Sequence, residues 1–160
     1  MVAFENVVYY INTLPIIKGI SFTANPGEVI GIIGKSGSGK TTLIRLLTGI
    51  LRQSRGNIKI DGADLSLWNN EELGKYIGYL PQNFELLPVS IKQNIYRMQP
   101  DATDEAIIDA AKLANVHDLI ISFEQGYETV VSDTNFNLSA GHRQRIAVAR
   151  CFYGNSKIVL

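Results

Sequence analysis

The chain has 160 residues, enough for one globular domain with a hydrophobic core or for such a domain with a small attached lobe. Its 15 basic and 15 acidic residues cancel, so charge gives no indication of a general nucleic-acid or acidic-lipid partner. The single Cys151 excludes an intramolecular disulfide and a cysteine metal cluster, the two histidines lack metal-ligand spacing, and no apolar run approaches the roughly 20 residues that a membrane-spanning helix needs.

Two loosely alternating stretches, residues 2–10 and 16–24, predict an antiparallel strand pair beside the main sheet. Tyr9 and Tyr10 stand at the end of the first strand. An aromatic ring there could stack on a purine base or could pack on the core, and the sequence leaves both interpretations open.

The next stretch contains the clearest chemical motif in the chain. Residues 28–33 are apolar and β-branched, which predicts a strand buried on both faces. Residues 41–48 show helical spacing, and Gly49 is placed to end that helix. Between them lies Gly34-Lys35-Ser36-Gly37-Ser38-Gly39-Lys40-Thr41, a match to the G-x-x-x-x-G-K-[ST] phosphate-binding loop in its proper strand–loop–helix context.

The chemistry of this loop follows from its residue types. Glycines at 34, 37 and 39 let successive backbone N–H groups point inward without a side chain in the way. The helix N-terminus that follows also favours an anion. Lys40 can reach the β- and γ-phosphates of a nucleotide, and the Thr41 hydroxyl can ligate Mg²⁺. The alternative is a glycine-rich turn that happens to precede a lysine.

Downstream of the first helix the sequence predicts an edge hairpin at residues 57–62, a weak helix at 65–76 and a second buried strand at 76–80. Trp68 and Leu73 are the expected core contacts of the weak helix, and Pro81-Gln82 ends the strand.

From residue 83 the pattern becomes helical, and a largely helical lobe is predicted over about 83–135. A further helix is predicted from Ala140 to about Tyr153, with Cys151 as a packed core thiol, and an apolar strand starts at 157–160. The lobe helices are expected at 90–96, 103–114 and 117–121, the second with the apolar stripe Ile107, Ala110, Ala111 and Ala114.

The stretch Leu138-Ser139-Ala140-Gly141-His142-Arg143-Gln144-Arg145 is a second candidate anion site, because a serine hydroxyl and glycine N–H groups stand at a predicted helix start. By itself such a stretch is an ordinary helix cap. Downstream of the phosphate loop, of Gln82 and of a helical lobe, it resembles the signature motif of ABC ATPases, Leu-Ser-Gly-Gly-Gln followed by Arg-Gln-Arg. The resemblance covers essentially the whole chain, and residues 157–160 are similar to the start of the Walker B strand.

This resemblance implies an α/β P-loop NTPase fold, with a mixed sheet around the Walker A helix, an antiparallel β-subdomain and a helical lobe. It divides the chain into an ATP-binding core with the β-subdomain at 1–82, the lobe at 83–139, and the signature helix with the start of the Walker B strand at 140–160. The whole is expected to be a partial nucleotide-binding domain whose C-terminal part is missing.

In ABC ATPases two domains dimerise head to tail and enclose two ATP molecules between the Walker A loop of one domain and the signature of the other. The resemblance implies Lys40 and Gln82 as catalytic residues and Thr41 and Gln82 as Mg²⁺ ligands, with Tyr10, or alternatively Tyr9, stacking on adenine. The implied ATP-binding set is Tyr10, Gly34, Ser36, Gly37, Ser38, Gly39, Lys40, Thr41, Thr42 and Gln82, joined across the dimer by Ser139, Gly141 and His142.

Residues 78–82 together with Glu85-Leu86 are most similar to exporters of the type I secretion group. This resemblance implies ATP-driven export of a protein substrate from the cytoplasmic face of a bacterial inner membrane. The implied partners are a second ATP-binding domain, a transmembrane permease domain on the same full-length chain, and a secretion adaptor with an outer-membrane channel. No nucleic-acid partner is implied.

The chain departs from the family pattern in its signature and in the segment before it. Ala140 and His142 replace a glycine and a glutamine, and the hypothesis is that such a signature works weakly. Asp133, Asn135 and Asn137 lie where exporters carry the X-loop, and Asp133 keeps a negative charge that could meet a coupling helix of the membrane domain.

The Walker B aspartate and the catalytic glutamate are expected beyond Leu160. Without them Mg²⁺ would lack an anchor and no side chain would polarise the attacking water. The 160-residue chain alone is therefore expected to show no ATPase activity above that of a Lys40→Ala control.

Two alternative functions remain. A degenerate ABC module would bind ATP without hydrolysing it and would regulate a partner, which the altered signature keeps open. A soluble ABC ATPase of DNA repair usually carries a long coiled coil between the Q-loop and the signature, whereas only a compact lobe separates Gln82 from Ser139 here.

Overall fold

A computed structural model describes residues 1–99, 101–131, 138–154 and 156–160. The chain divides into two compact units, Met1–Gly74 and Lys75–Leu160. The finer subdivision at residues 82 and 139 stays a prediction. The X-loop prediction for Asp133, Asn135 and Asn137 lies outside the described residues.

The first unit is built on a four-stranded antiparallel sheet in the order β2-β1-β3-β4. Both the predicted strand pair and the predicted hairpin are confirmed. At the tip of the hairpin, Asp61 and Gly62 have φ values of 51° and 84°, the left-handed geometry that a two-residue turn between twisted strands requires. The strands are β1 (Val2–Ile11), β2 (Leu14–Ala24), β3 (Arg55–Ile60) and β4 (Ala63–Asp64).

The helices of the first unit are short, and each has one buried face. Helix α1 (Lys40–Leu47) follows the glycine loop as predicted and buries Leu43, Leu46 and Leu47. A 3₁₀ turn (Leu65–Leu67) and helix α2 (Asn70–Tyr76) occupy the region predicted to be weakly helical, and α2 crosses the boundary between the two units. Of the two expected core contacts there, Leu73 is buried and Trp68 is half-buried.

The predicted buried strand at residues 28–33 is wrong as stated. Among the described residues no strand pairs with this segment, and it has no regular secondary structure. Val29 and Ile33 are each 98% exposed. The apolar, β-branched pattern correctly identifies residues that suit an interior strand, but a strand also needs neighbours for its N–H and C=O groups, and a local pattern cannot supply them.

In the described part of the second unit, one short parallel strand pair is combined with the four helices that follow α2. Strand β5 (Ile77–Gly78) pairs with β6 (Ile158–Val159), and the backbone bond from Leu80 N to Leu160 O, 2.9 Å long, extends the pairing. Both strands lie inside segments that the sequence predicts to be extended. The helices are α3 (Ile91–Tyr96), α4 (Asp104–Leu113), α5 (His117–Ile121) and α6 (Ala140–Phe152), with a 3₁₀ turn at Gly126–Glu128.

Side-chain caps start α3, α4 and α6, close to the predicted helix starts. Ser90 and Gln93 form a reciprocal capping box at α3, and the Thr103 hydroxyl accepts a bond from Ala106 N at α4. The predicted apolar stripe of α4 is buried and joins the core of the unit. Cys151 is buried as well, and this burial raises the pKa of its thiol, as expected of a core cysteine rather than a reactive one.

Within the described residues, no helix is both long enough and apolar enough to span a bilayer.

Gly78 tests the packing of β5 on α6. A Cβ at this position would overlap the carbonyl group of Cys151, which is backbone and cannot swing away. We expect Gly78→Ala to lower the free energy of unfolding by about 1–3 kcal/mol, the usual range for overpacking. Urea denaturation followed by circular dichroism measures this change.

Gly74→Ala is the matched control, since Gly74 lies in α2 and a Cβ there would meet nothing within 4 Å. Because alanine is the better helix former, this change should stabilise the protein by up to about 1 kcal/mol. Equal effects of the two substitutions would contradict the close packing at Gly78.

Candidate nucleotide-binding site

The glycine loop between Gly34 and Lys40 folds back on its own lysine. The Lys40 ammonium donates to the carbonyl oxygens of Gly34 and Lys35, each at 2.8 Å. Gly37 and Gly39 have φ values of 77° and 91°, which only glycine adopts without strain. The lysine is thus held over the mouth of the loop by two neutral carbonyl groups that a phosphate oxygen can replace.

Two close contacts explain why side chains are absent at Gly34 and Gly39. A Cβ on Gly34 would lie 2.7 Å from the Ser38 hydroxyl, so a side chain there would fill the inside of the loop. A Cβ on Gly39 would lie 2.9 Å from the Ile17 side chain and 3.3 Å from the Ile16 carbonyl oxygen. Strand β2 therefore packs directly against the point where the loop becomes α1, and it positions the start of that helix.

The loop suits a triphosphate and its Mg²⁺ ion. The first turn of α1 contains no carboxylate, and its N-cap, Gly39, has no side chain to occupy the helix N–H groups. Thr41 is exposed in that turn, where its hydroxyl can act as an oxygen ligand for Mg²⁺. The cradle that a Cβ would fill, the ammonium donor of Lys40 and the helix start without a side-chain cap are groups that suit phosphate binding.

The predicted adenine-stacking residues lie on the strand next to β2. Tyr9 pairs with Ile17, the residue that touches Gly39, and Tyr10 pairs with Pro15 after a register shift. Tyr10 is 38% exposed, whereas Tyr9 is half-buried. The Ser54 hydroxyl accepts a bond from Tyr10 N at 3.1 Å, a contact that sequence analysis did not identify. The exposure of its ring makes Tyr10 the better candidate for stacking, and its role stays a prediction.

The remaining predicted site residues belong to the second unit. Gln82 is exposed and follows β5. Ser139 is the N-cap of α6, and its hydroxyl accepts a bond from His142 N at 3.1 Å. Ser139, Ala140 and Gly141 are exposed, and the first turn of α6 also lacks a carboxylate. The Ser139 hydroxyl can still donate its own hydrogen to an anion, so the start of α6 has the features of a second anion site.

Sequence analysis missed a buried polar contact between α3 and α6. Asn94 is 1% exposed, and its carbonyl oxygen and side-chain oxygen both accept bonds from Arg150. A weak signal was available, because Asn94 lies on the same face of α3 as Ile91 and Ile95, where a polar residue is unexpected.

The comparison that decides the family covers both candidate anion sites. A sequence profile described as "ABC transporter" matches residues 17–160, from β2 to the end of the chain. The chain belongs to the ABC transporter family. The predicted family is thereby confirmed: the chain is an ABC transporter ATP-binding domain.

Relatives and solved structures agree with this assignment. The type I secretion system ATP-binding protein PrsD of Rhizobium meliloti is 46% identical over 145 residues, covering 91% of this chain and 25% of that protein. The leukotoxin translocation ATP-binding protein LktB of Mannheimia glucosida is 42% identical, covering 99% of this chain and 23% of that protein.

A solved structure of a bacterial Atm1-family ABC exporter with ATP bound matches 99% of this chain and 28% of that chain, with a TM-score of 0.86 and 36% identity. The predicted α/β fold of an ABC ATP-binding domain is confirmed by this match. This chain spans about a quarter of the length of each of these proteins.

The two tyrosines can be separated by substitution. We expect Tyr10→Ala to weaken the binding of a fluorescent ATP analogue by about 5- to 150-fold, since loss of base stacking costs about 1–3 kcal/mol. Tyr9→Ala should leave the dissociation constant within about threefold, and titration of the purified protein measures both values. A larger loss for Tyr9→Ala would assign the stacking role to Tyr9.

Proposed function

We propose that this ATP-binding domain hydrolyses ATP in a head-to-tail dimer and drives export across a membrane, most specifically the secretion of a protein by a type I system. The observation that carries the proposal is that the starts of α1 and α6 on one ABC domain both lack a carboxylate in the first turn and expose residues there, so that each is a candidate anion site. The identity to PrsD and LktB, both named for export systems, supports the finer assignment.

In this proposal the candidate site residues divide the work of binding and hydrolysis among them. The loop amides and Lys40 bind the phosphates, Thr41 and Gln82 hold Mg²⁺, and Tyr10 orients the base. Ser139, Gly141 and His142 of a second copy close the site from the other side. Bound ATP supplies the phosphoanhydride bond whose hydrolysis releases the dimer, and Gln82 reports that change to the membrane domain.

The proposed partners follow from the same relatives. A transmembrane permease domain is expected on the full-length protein, because one relative is named an ABC transporter ATP-binding/permease protein. The domain would then work at the cytoplasmic face of a membrane. A secretion adaptor and an outer-membrane channel belong to the type I hypothesis, and a protein substrate would be passed to them.

The second candidate function is a non-hydrolytic module that binds ATP and regulates a partner, and the altered signature keeps it open. Ala140 is the first residue of α6 and has the negative φ of a helix, so its methyl group causes no backbone strain. His142 is half-buried and can still donate a hydrogen bond. We therefore infer a signature that is weakened rather than inactive.

Replacing Lys40 tests the enzymatic part of the proposal. In the natural full-length protein we expect Lys40→Ala to reduce Mg²⁺-dependent ATP hydrolysis by at least about 100-fold, because the charge that stabilises the transferring phosphoryl group is lost. Phosphate release measures the rate. Lys18→Ala removes an exposed lysine from β2 of the same unit and serves as the control.

Equal rates for wild type and Lys40→Ala would refute ATP hydrolysis at this site. If the wild type bound ATP through Lys40 but hydrolysed none, the regulatory module would be the correct function.

The signature hypothesis predicts a gain of activity. We expect the double substitution Ala140→Gly, His142→Gln to raise the turnover number of the full-length protein several-fold, because it restores the usual family residues at the second anion site. The rate at saturating ATP measures the effect, and His117→Gln is the control for a histidine change elsewhere in the second unit. Unchanged turnover would show that the altered signature is not limiting.

A further inference from the structure

A buried asparagine in α3 has its side chain fully engaged in hydrogen bonds. The side-chain nitrogen of Asn94 donates to the carbonyl oxygens of Leu87 at 3.0 Å and Ser90 at 3.1 Å, with a longer contact to Val89 at 3.4 Å. Its side-chain oxygen accepts from Leu87 N at 2.9 Å. The Asn94 side chain thus bonds backbone groups of residues 87–90 in the way that a neighbouring strand would. These residues precede α3 and follow Gln82.

Arg150 of α6 connects to the same group from the other side. Its Nε donates to the Asn94 carbonyl oxygen at 2.9 Å, and its Nη2 donates to the Asn94 side-chain oxygen at 2.8 Å. Its Nη1 reaches the Glu85 carbonyl oxygen at 3.5 Å. The planar guanidinium can bridge these acceptors at once because its donors stand in a fixed fork. Burial lowers the pKa of Arg150, yet an arginine stays charged in proteins.

The segment 85–90 is also joined to the chain that leads toward the signature. Ile91 N donates to Thr129 O at 2.9 Å, and Val131 N donates to Val89 O at 3.0 Å. Ser90 and Val130 form an isolated antiparallel bridge. The segment after Gln82 is therefore attached to three elements of the second unit: α3, the strand-like residues 129–131, and α6.

We propose that Asn94 and Arg150 are positioning residues that couple the segment after Gln82 to the signature helix α6, so that a displacement of residues 85–90 moves Ser139 at the helix start. This inference rests on the proposed function. A packed helix moves as one body. Arg150 binds the main-chain and side-chain oxygens of Asn94, whose side chain in turn bonds the backbone of residues 87–90, so it does more than fill space. If Arg150 only filled space, an apolar residue of similar volume would serve equally well.

The test uses the natural full-length protein in lipid nanodiscs with Arg150→Met, Arg150→Lys and a control, Lys92→Met. Lys92 also lies on α3, but its ammonium pairs with Asp104 at 2.7 Å and Glu128 at 3.5 Å and does not contact residues 85–90. Turnover and KM for ATP are measured for each variant. Turnover is divided by the number of sites that bind a fluorescent ATP analogue, because this normalisation excludes unfolded protein.

We expect Arg150→Met to lower the turnover per site by about 10- to 100-fold, the loss that a displacement of about 1 Å can cause, while KM stays within about twofold because the phosphate loop belongs to the first unit. Arg150→Lys should lower turnover several-fold, since one ammonium group cannot bridge the same acceptors. Lys92→Met should match the wild type.

The proposal would be overturned if Arg150→Met kept the turnover per site of the wild type. It would also be overturned if this substitution changed turnover and KM to the same extent. If Arg150→Met does not fold, Arg150→Lys decides by the same criteria. An inactive wild type would refute the proposed function itself and this inference with it, whereas an active wild type with an unaffected Arg150→Met refutes the inference alone.

Discussion

The close approach of β5 to α6 is the constraint on which the second unit depends. Gly78 lies against the Cys151 carbonyl group with no room for a side chain, and Ala147 and Ala149 on the same helix are fully buried. Small residues let the strand and the helix approach each other closely. The strand that ends before Gln82 and the helix that begins at Ser139 are thereby fixed to each other.

The two candidate anion sites are prepared in different ways. At α1 the cap is Gly39, so the first-turn amides meet no side chain and the charge comes from Lys40. At α6 the cap is Ser139, whose hydroxyl already satisfies the His142 amide. The first site can surround a phosphate on its own, whereas the second offers a hydroxyl and a helix end on an exposed surface. That difference fits a site that contributes to binding only when another surface brings the phosphate to it.

How much could be predicted from the sequence depended on whether the deciding interaction was local. The α4 stripe, the hairpin at residues 57–62 and the helix start at Ser139 were correct because periodicity, turn geometry and capping involve neighbouring residues. The strand at residues 28–33 was wrong because a local apolar pattern does not tell whether other strands pair with the segment, and among the described residues none does. The role of Asn94 was missed for the same reason, since Arg150 lies 56 positions away.

The structure also bears on the choice between the two proposed functions, a domain that hydrolyses ATP and a domain that only binds ATP and regulates a partner. A glycine is hard to replace where φ is positive and another group lies close, as at Gly39, or where another backbone approaches, as at Gly78. Position 140 has neither property, because it is an exposed first residue of α6 with helical geometry. A methyl group there changes an exposed surface at the start of α6 and requires no change in the fold. We therefore expect the altered signature to act on the proposed contact with a ligand and a second domain rather than on the fold, so that the proposed ATP hydrolysis would continue at a reduced rate.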